Sequence, residues 1–138
     1  CADDAPAPVG TGRILIMDDE EPIRTVAQRL LEKLGYEVQI AQNGEEAIEL
    51  FRAARQSGAP MDLAVLDLTV PGGMGGLECL HRLREIDPDV PAIVSSGYSN
   101  DPIMAEHRRH GFDGCIVKPF RMQELSDAIR RLIRPARS

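Results

Sequence analysis

The sequence predicts an α/β domain in which five short strands alternate with five helices and form one parallel sheet covered on both faces. Three observations carry that prediction. Apolar runs of strand length alternate with stretches whose apolar residues recur every three or four positions, and such alternation makes a parallel sheet. The strand candidates are rich in Val, Ile and Leu, which fits burial on both sides. A length of 138 residues, 43% apolar and 28% charged, is enough for one compact core without staples. With aromatics at 4% and Trp absent, that core must be aliphatic.

The elements follow in order. Residues 1–12 contain Ala, Asp, Pro and Gly without periodicity and read as a flexible arm or linker. Arg13 to Met17 is the first strand. Pro22 opens a helix at its first turn, with acidic residues just before it. Ile23, Val26, Ala27, Leu30, Leu31 and Leu34 carry the apolar face to a stop at Gly35. Tyr36 to Ala41 is the second strand. Asn43-Gly44 marks a turn into a helix bearing Ala47, Ile48, Phe51 and Ala54, which ends at Ser57-Gly58.

Met61 to Leu68 is the third strand, and residues 71–76 (PGGMGG) form a loop. Leu77, Leu80, Leu83 and Ile86 carry a helix to Asp87-Pro88. Pro91 to Ser95 is the fourth strand. Asn100-Asp101-Pro102 signals a cap and a helix running through His110. Gly114 to Val117 is the fifth strand, and Leu125, Ala128, Ile129, Leu132 and Ile133 stripe the last helix. The domain should span residues 13–134, with 135–138 as a tail.

Charge and cysteine content narrow the function. Sixteen Lys and Arg against 22 Asp and Glu give a net charge of −6, which disfavours duplex DNA as a partner. No apolar run reaches membrane-spanning length, and the first residues lack the pattern of a signal peptide. Cysteines at 1, 79 and 115 form neither a disulfide framework nor a zinc knuckle, so a reducing, cytoplasmic compartment is expected. Cys79 and Cys115 read as small core residues. His81, His107 and His110 read as solvated helix positions. The basic run His107-Arg108-Arg109-His110 reads as a last helical turn complementing the helix dipole.

In open parallel sheets, ligands bind beyond the carboxyl ends of the strands, where strand order reverses. One common five-stranded order, 2-1-3-4-5, sets the first and third strands side by side at that point. Asp18-Asp19-Glu20-Glu21 follows the first strand, Asp67 ends the third, Ser95-Ser96-Gly97 follows the fourth, and Lys118-Pro119 ends the fifth. Two like charges about 5 Å apart repel by roughly 3 kcal/mol at an effective dielectric of 20, so gathered carboxylates call for a cation. Oxygen-only ligands suit a hard ion such as Mg²⁺. A carboxylate beside such an ion can be a ligand and also a nucleophile. Charge on an accepted phosphoryl group could be stabilised by the ion, the Lys118 ammonium and the Ser96 hydroxyl.

The segments ILIMDDEEPIR at 14–24, DLAVLDLTVPGG at 62–73, PAIVSSGYS at 91–99 and DGCIVKPF at 113–120 together resemble the receiver domain of two-component response regulators. The resemblance covers Arg13 to about Arg134. It implies a flavodoxin-like (βα)5 three-layer sandwich with strand order 2-1-3-4-5. It implies Asp67 as phosphoacceptor, and Asp18, Asp19, Asp67 and the backbone carbonyl of Thr69 as ligands of Mg²⁺ (or Mn²⁺). Lys118 would contact the phosphoryl group, Ser96 would be the switch hydroxyl, and Pro119 would follow a cis peptide. The implied partner is a histidine kinase or histidine phosphotransfer domain, with neither nucleic acid nor membrane contacted directly. A phosphorylation-dependent homodimer is a further implication.

Three positions depart from the family pattern. Cys115 stands where Tyr or Phe is usual, so the aromatic switch is missing or partly replaced by Tyr98. The loop after Asp67 is one residue longer than the common form and resembles that of receivers in hybrid sensor kinases. Gly97 follows the switch serine where Ala is common. The loop and a first residue that is not Met point to the C-terminal receiver of a hybrid histidine kinase. The alternatives are a stand-alone response regulator and a silent receiver that only binds. A phosphatase of the haloacid-dehalogenase type would need a second Asp where Thr69 stands. A flavin carrier would need a glycine- and hydroxyl-rich phosphate loop in place of DDEE.

Overall fold

The structure, a computed structural model, describes residues 12–97 and 101–134. Five strands and five helices alternate: β1 (Arg13–Met17), α1 (Glu21–Lys33), β2 (Glu37–Ala41), α2 (Gly44–Gln56), β3 (Leu63–Asp67), α3 (Gly76–Ile86), β4 (Ala92–Ser96), α4 (Pro102–Ala105), β5 (Gly114–Val117) and α5 (Met122–Leu132). The sheet is parallel throughout with order β2-β1-β3-β4-β5, as expected.

Period-two alternation sorts each strand between two aliphatic cores. Leu15, Met17, Ala64, Leu66, Ala92 and Val94 face α2 and α3, where Phe51, Leu80, Leu83 and Phe112 fill the space. Ile14, Ile16, Leu63, Val65, Ile93 and Ile116 face α1 and α5, against Leu31, Leu125 and Ile129. Cys79 lies fully buried in the first core, as expected, and burial pushes its thiol up to about 12. β3 and β4 are buried at every residue, which gives the sheet a dry centre. Full burial of each large apolar side chain contributes roughly 1.5–3 kcal/mol.

Local signals set the helix starts. Asn43 is the N-cap of α2, where its side chain accepts from the Glu46 N–H at 2.9 Å. Asp101 caps α4 by accepting from the Ile103 N–H at 2.9 Å. Pro22 is the second residue of α1 and Pro102 the first of α4, both within the first turn.

The helix expected through His110 is the largest departure: α4 stops at Ala105, and residues 106–111 form turns. Apart from Ile103 and Met104 this segment is polar, so another helical turn would bury no apolar face, and short helices depend on such burial. The His107 carbonyl instead accepts from the His110 and Phe112 N–H groups, and Gly111 adopts φ +100°. His107-Arg108-Arg109-His110 is therefore not a last helical turn, and the dipole explanation for it fails. His81 lies exposed on α3, as expected.

Cys115 is a second correction. It is exposed, not core. β5 is an edge strand whose residues alternate buried and exposed, and Cys115 and Val117 face the side that the one-turn α4 leaves uncovered. Smaller shifts concern strand ends: Met61, Asp62 and Leu68 lie outside β3, and Ser96 lies inside β4. Tyr98 lies outside the described residues, as do 1–11 and 135–138.

Candidate functional site

The carboxyl edge of the sheet gathers the residues that the sequence singled out. Asp18 follows β1 directly, and its N–H donates to the Ala41 carbonyl at 3.0 Å, continuing the ladder. Asp67 is the last residue of β3, in register with Ser95 of β4. Ser96 ends β4, and its carbonyl accepts from the Lys118 N–H at 2.8 Å, which fixes the backbone just beyond β5. The Lys118-Pro119 peptide is cis, as expected. Asp18, Asp67 and Ser96 are each at most 3% exposed.

The Lys118 side chain crosses the sheet edge to reach three carboxylates. Its Nζ lies 2.8 Å from Asp18 Oδ2, 3.2 Å from Glu20 Oε2 and 3.4 Å from Asp67 Oδ2. Asp18 uses its other oxygen to accept from the Glu20 N–H at 2.9 Å. Asp67 Oδ1 accepts from the Thr69 N–H at 3.4 Å. An open cleft of about 570 Å³ lies over the group, lined by Asp19, Glu20, Asp67, Thr69, Ser96 and Lys118 among others. Asp18, Asp19, Asp67, Thr69, Ser96 and Lys118 are thus present at one edge, whereas Cys115 stands within β5 on its exposed side, away from the cleft lining.

The electrostatics follow from crowding Asp18, Glu20 and Asp67 around one ammonium, with the Asp19 carboxyl against Asp67. Burial, followed by the charge of Asp18, pushes the Asp67 carboxyl up to about 7. Lys118 pulls the other way, and the Asp19 carboxyl adds to the push. For Lys118, burial disfavours the charge, but the hydrogen bond and charge of Asp18, with help from Asp67 and Glu20, outweigh it and hold the ammonium above the ordinary lysine range. Asp18, Asp19 and Glu20 each offer an oxygen within 4.8 Å of the others. An all-oxygen donor set that already draws in an ammonium suits a hard divalent cation.

The loop after Asp67 is shaped by close approach. A Cβ on Gly75 would stand 2.4 Å from the Leu68 carbonyl oxygen, and one on Gly76 would stand 2.8 Å from that of Asp67. The glycines thus let α3 begin directly against the strand that carries Asp67. Glu20, which the sequence reading left within the DDEE run without a role, contacts Lys118. Its partner lies 98 residues away, so no local pattern could have flagged it.

Comparison with known proteins agrees with this arrangement. The response regulator receiver domain family matches residues 14–130. The chain is 31% identical over 121 residues to sporulation initiation phosphotransferase F of Bacillus subtilis, covering 88% of this chain and 93% of that protein. It is 31% identical to the chemotaxis protein CheY of Thermotoga maritima, covering 87% and 96%. It is also 38% identical over 123 residues to the uncharacterized transcriptional regulatory protein YkoG of Bacillus subtilis, covering 89% of this chain but spanning only about half (51%) of that protein. Among solved structures, the response regulator protein TrrA of Thermotoga maritima in complex with Mg²⁺-BeF matches with a TM-score of 0.71 at 32% identity, covering 87% and 97%. With the fold, the strand-end residues and the family match in agreement, the chain belongs to the response regulator receiver domain family of two-component signalling.

Proposed function

We propose that Asp67 is the phosphoacceptor of this receiver and takes its phosphoryl group from a phosphohistidine on a histidine kinase or histidine phosphotransfer domain. The observation that carries the reading is the buried Asp67 carboxylate held within reach of the Lys118 ammonium and beside Asp18, at the mouth of an open cleft. In the transfer, an Asp67 carboxylate oxygen forms the new P–O bond as the P–N bond of the phosphohistidine breaks. The imidazole nitrogen keeps the bonding electrons. Lys118 neutralises charge on the phosphoryl oxygens, and the Ser96 hydroxyl donates to one of them.

Asp18, Asp19, Asp67 and the Thr69 carbonyl would hold Mg²⁺ (or Mn²⁺). When bound, the ion supplies charge stabilisation to the oxygens of the transferring group. The charge balance supports this assignment, since one ammonium does not neutralise the surrounding carboxylates. Surface switching through Ser96, with Tyr98 and Cys115 as further switch positions, belongs to the same reading, as does a phosphorylation-dependent homodimer. The functional domain on this reading is 13–134, working in the cytoplasm. Among the described residues no helix is long and apolar enough to cross a membrane.

Placement as the receiver of a hybrid histidine kinase is supported by 30% identity over 124 residues to the sensor kinase CckA of Brucella abortus, of which the chain covers 13%. The second reading, a stand-alone regulator, is favoured by the near-complete coverage of sporulation initiation phosphotransferase F and CheY. The test of the chemistry is intact-mass spectrometry after incubation with acetyl phosphate, with and without Mg²⁺. We expect one added phosphoryl mass that requires both Mg²⁺ and Asp67. The same mass on Asp67→Ala would reject Asp67 as acceptor.

A further inference from the structure

We propose that Glu20 is a positioning residue that holds the Lys118 ammonium away from the incoming phosphoryl group and so slows phosphorylation of Asp67. The inference rests on the reading of Asp67 as phosphoacceptor. Glu20 stands at the N-cap of α1, yet its side chain caps nothing there. Its carboxylate instead reaches Lys118 Nζ at 3.2 Å. Glu20 is exposed on the rim, with its side chain at 58%, whereas the Lys118 side chain is at 12%, so Glu20 is the solvent-facing partner of the ammonium.

The other two partners of Lys118 are occupied by the chemistry itself. Asp67 becomes the acceptor and Asp18 serves the divalent cation. Glu20 offers an oxygen near those of Asp18 and Asp19 but lies outside the Asp18, Asp19, Asp67 and Thr69 set proposed above for the ion, so it is the partner that continues to compete for the ammonium while phosphoryl oxygens arrive. Exchanging an exposed carboxylate for a neutral group relieves a competing pair of modest strength, equivalent to about a two- to fivefold change in rate.

The test compares wild type, Glu20→Gln and Glu21→Gln in Mg²⁺-dependent phosphorylation. Glu21 carries the same charge one residue on, exposed on the first turn of α1. Two donors are used: acetyl phosphate, a dianion at neutral pH, and phosphoramidate, a monoanion there. We expect Glu20→Gln to be about two- to fivefold faster with both donors and Glu21→Gln to match wild type. An unchanged rate overturns the proposal. So does an acceleration shared by Glu21→Gln, or one confined to the more highly charged donor, because either would mean simple repulsion of the donor.

A second readout needs no phosphoryl transfer. In the metal-free chain, the Lys118 ammonium resonance in ¹H–¹⁵N NMR should shift in Glu20→Gln and not in Glu21→Gln. An unshifted resonance overturns the pairing. A wild-type chain that takes no phosphoryl group at Asp67 defeats the proposed function instead, an outcome separate from both.

Discussion

The two ends of the sheet treat buried carboxylates in opposite ways. At the amino end, Asp62 and Asp87 are 7% and 4% exposed, and they share Arg134 while each also has a backbone donor. Asp62 accepts from the Arg13 N–H at 3.0 Å and lies 3.9 Å from Arg134 Nε. Asp87 lies 2.9 Å from Arg134 Nη1 and 3.4 Å from Arg55 Nη1, and accepts from the Asp89 N–H at 3.2 Å. Arg134 also donates to the Met61 carbonyl. Nearby, Asp113 is held by Arg84 Nη2 at 3.2 Å and by the Ala92 N–H at 2.9 Å. At the carboxyl end, by contrast, Asp18, Glu20 and Asp67 share the single Lys118 ammonium. At the amino end the carboxylates are matched by guanidinium groups, although Asp87 Oδ2 and Arg134 Nε are buried there with ion-pair contacts and no well-aligned hydrogen bond. The carboxyl end is short of positive charge, which supports the cation and the change of charge at Asp67 proposed above.

The comparison breaks most visibly at Arg134. Replacing it with Met leaves Asp62 and Asp87 buried with fewer cations, and we expect a loss of about 3 kcal/mol in urea unfolding. Arg55 and the backbone donors keep the loss from being larger. Added Mg²⁺ should not restore it, because the site proposed for the ion is at the other end.

Removing a carboxylate from the crowded end should act in the opposite sense. Asp67→Asn is expected to stabilise the metal-free chain at pH 8, where the wild-type carboxyl is charged among its neighbours. The pH dependence sharpens the point. The Asp67 carboxyl is raised to about 7 in the folded chain, against about 3.9 when unfolded. Between those values the folded chain holds a proton that the unfolded chain has lost. Its contribution to stability is therefore complete below about pH 4 and is lost as pH rises to about 7. The stability difference between wild type and Asp67→Asn, followed by thermal unfolding without divalent cations, should fall over that window and flatten above it. A difference that stays constant would contradict the crowding.

The smallest effect is expected away from both ends. Arg82 and Glu78 pair at 3.2 Å on the exposed face of α3. Arg82→Ala should cost no more than about 0.5 kcal/mol in the same urea titration, which sets the scale for a pair that water already screens.

Much of this was legible in the sequence, for identifiable reasons. The strands could be read because β3 and β4 begin with the apolar runs Leu63–Leu66 and Ala92–Val94, and the site because β1, β3, β4 and β5 end at or just before a polar residue at the same edge. The extent of α4 was not legible from Asp101-Pro102, since a good cap starts a helix but only packing sustains it. Cys115 was misplaced because GCIV is uniformly apolar, and nothing within it tells which side lacks a covering helix. The Arg134 fastening left no trace either. Its partners Asp62 and Asp87 lie 72 and 47 residues away, and isolated charges at such separations look like ordinary surface residues.

The reach of Lys118 also has a mechanical consequence. Its side chain acts as a strut from the end of β5, over β4, to the ends of β1 and β3. β5 is bonded into the sheet on one flank only, which makes it, like β2, one of the two most compliant strands. The strut therefore ties a compliant margin of the sheet to its stiff centre. Any event that re-seats the ammonium shifts the load on that margin, where Cys115 and Val117 face solvent.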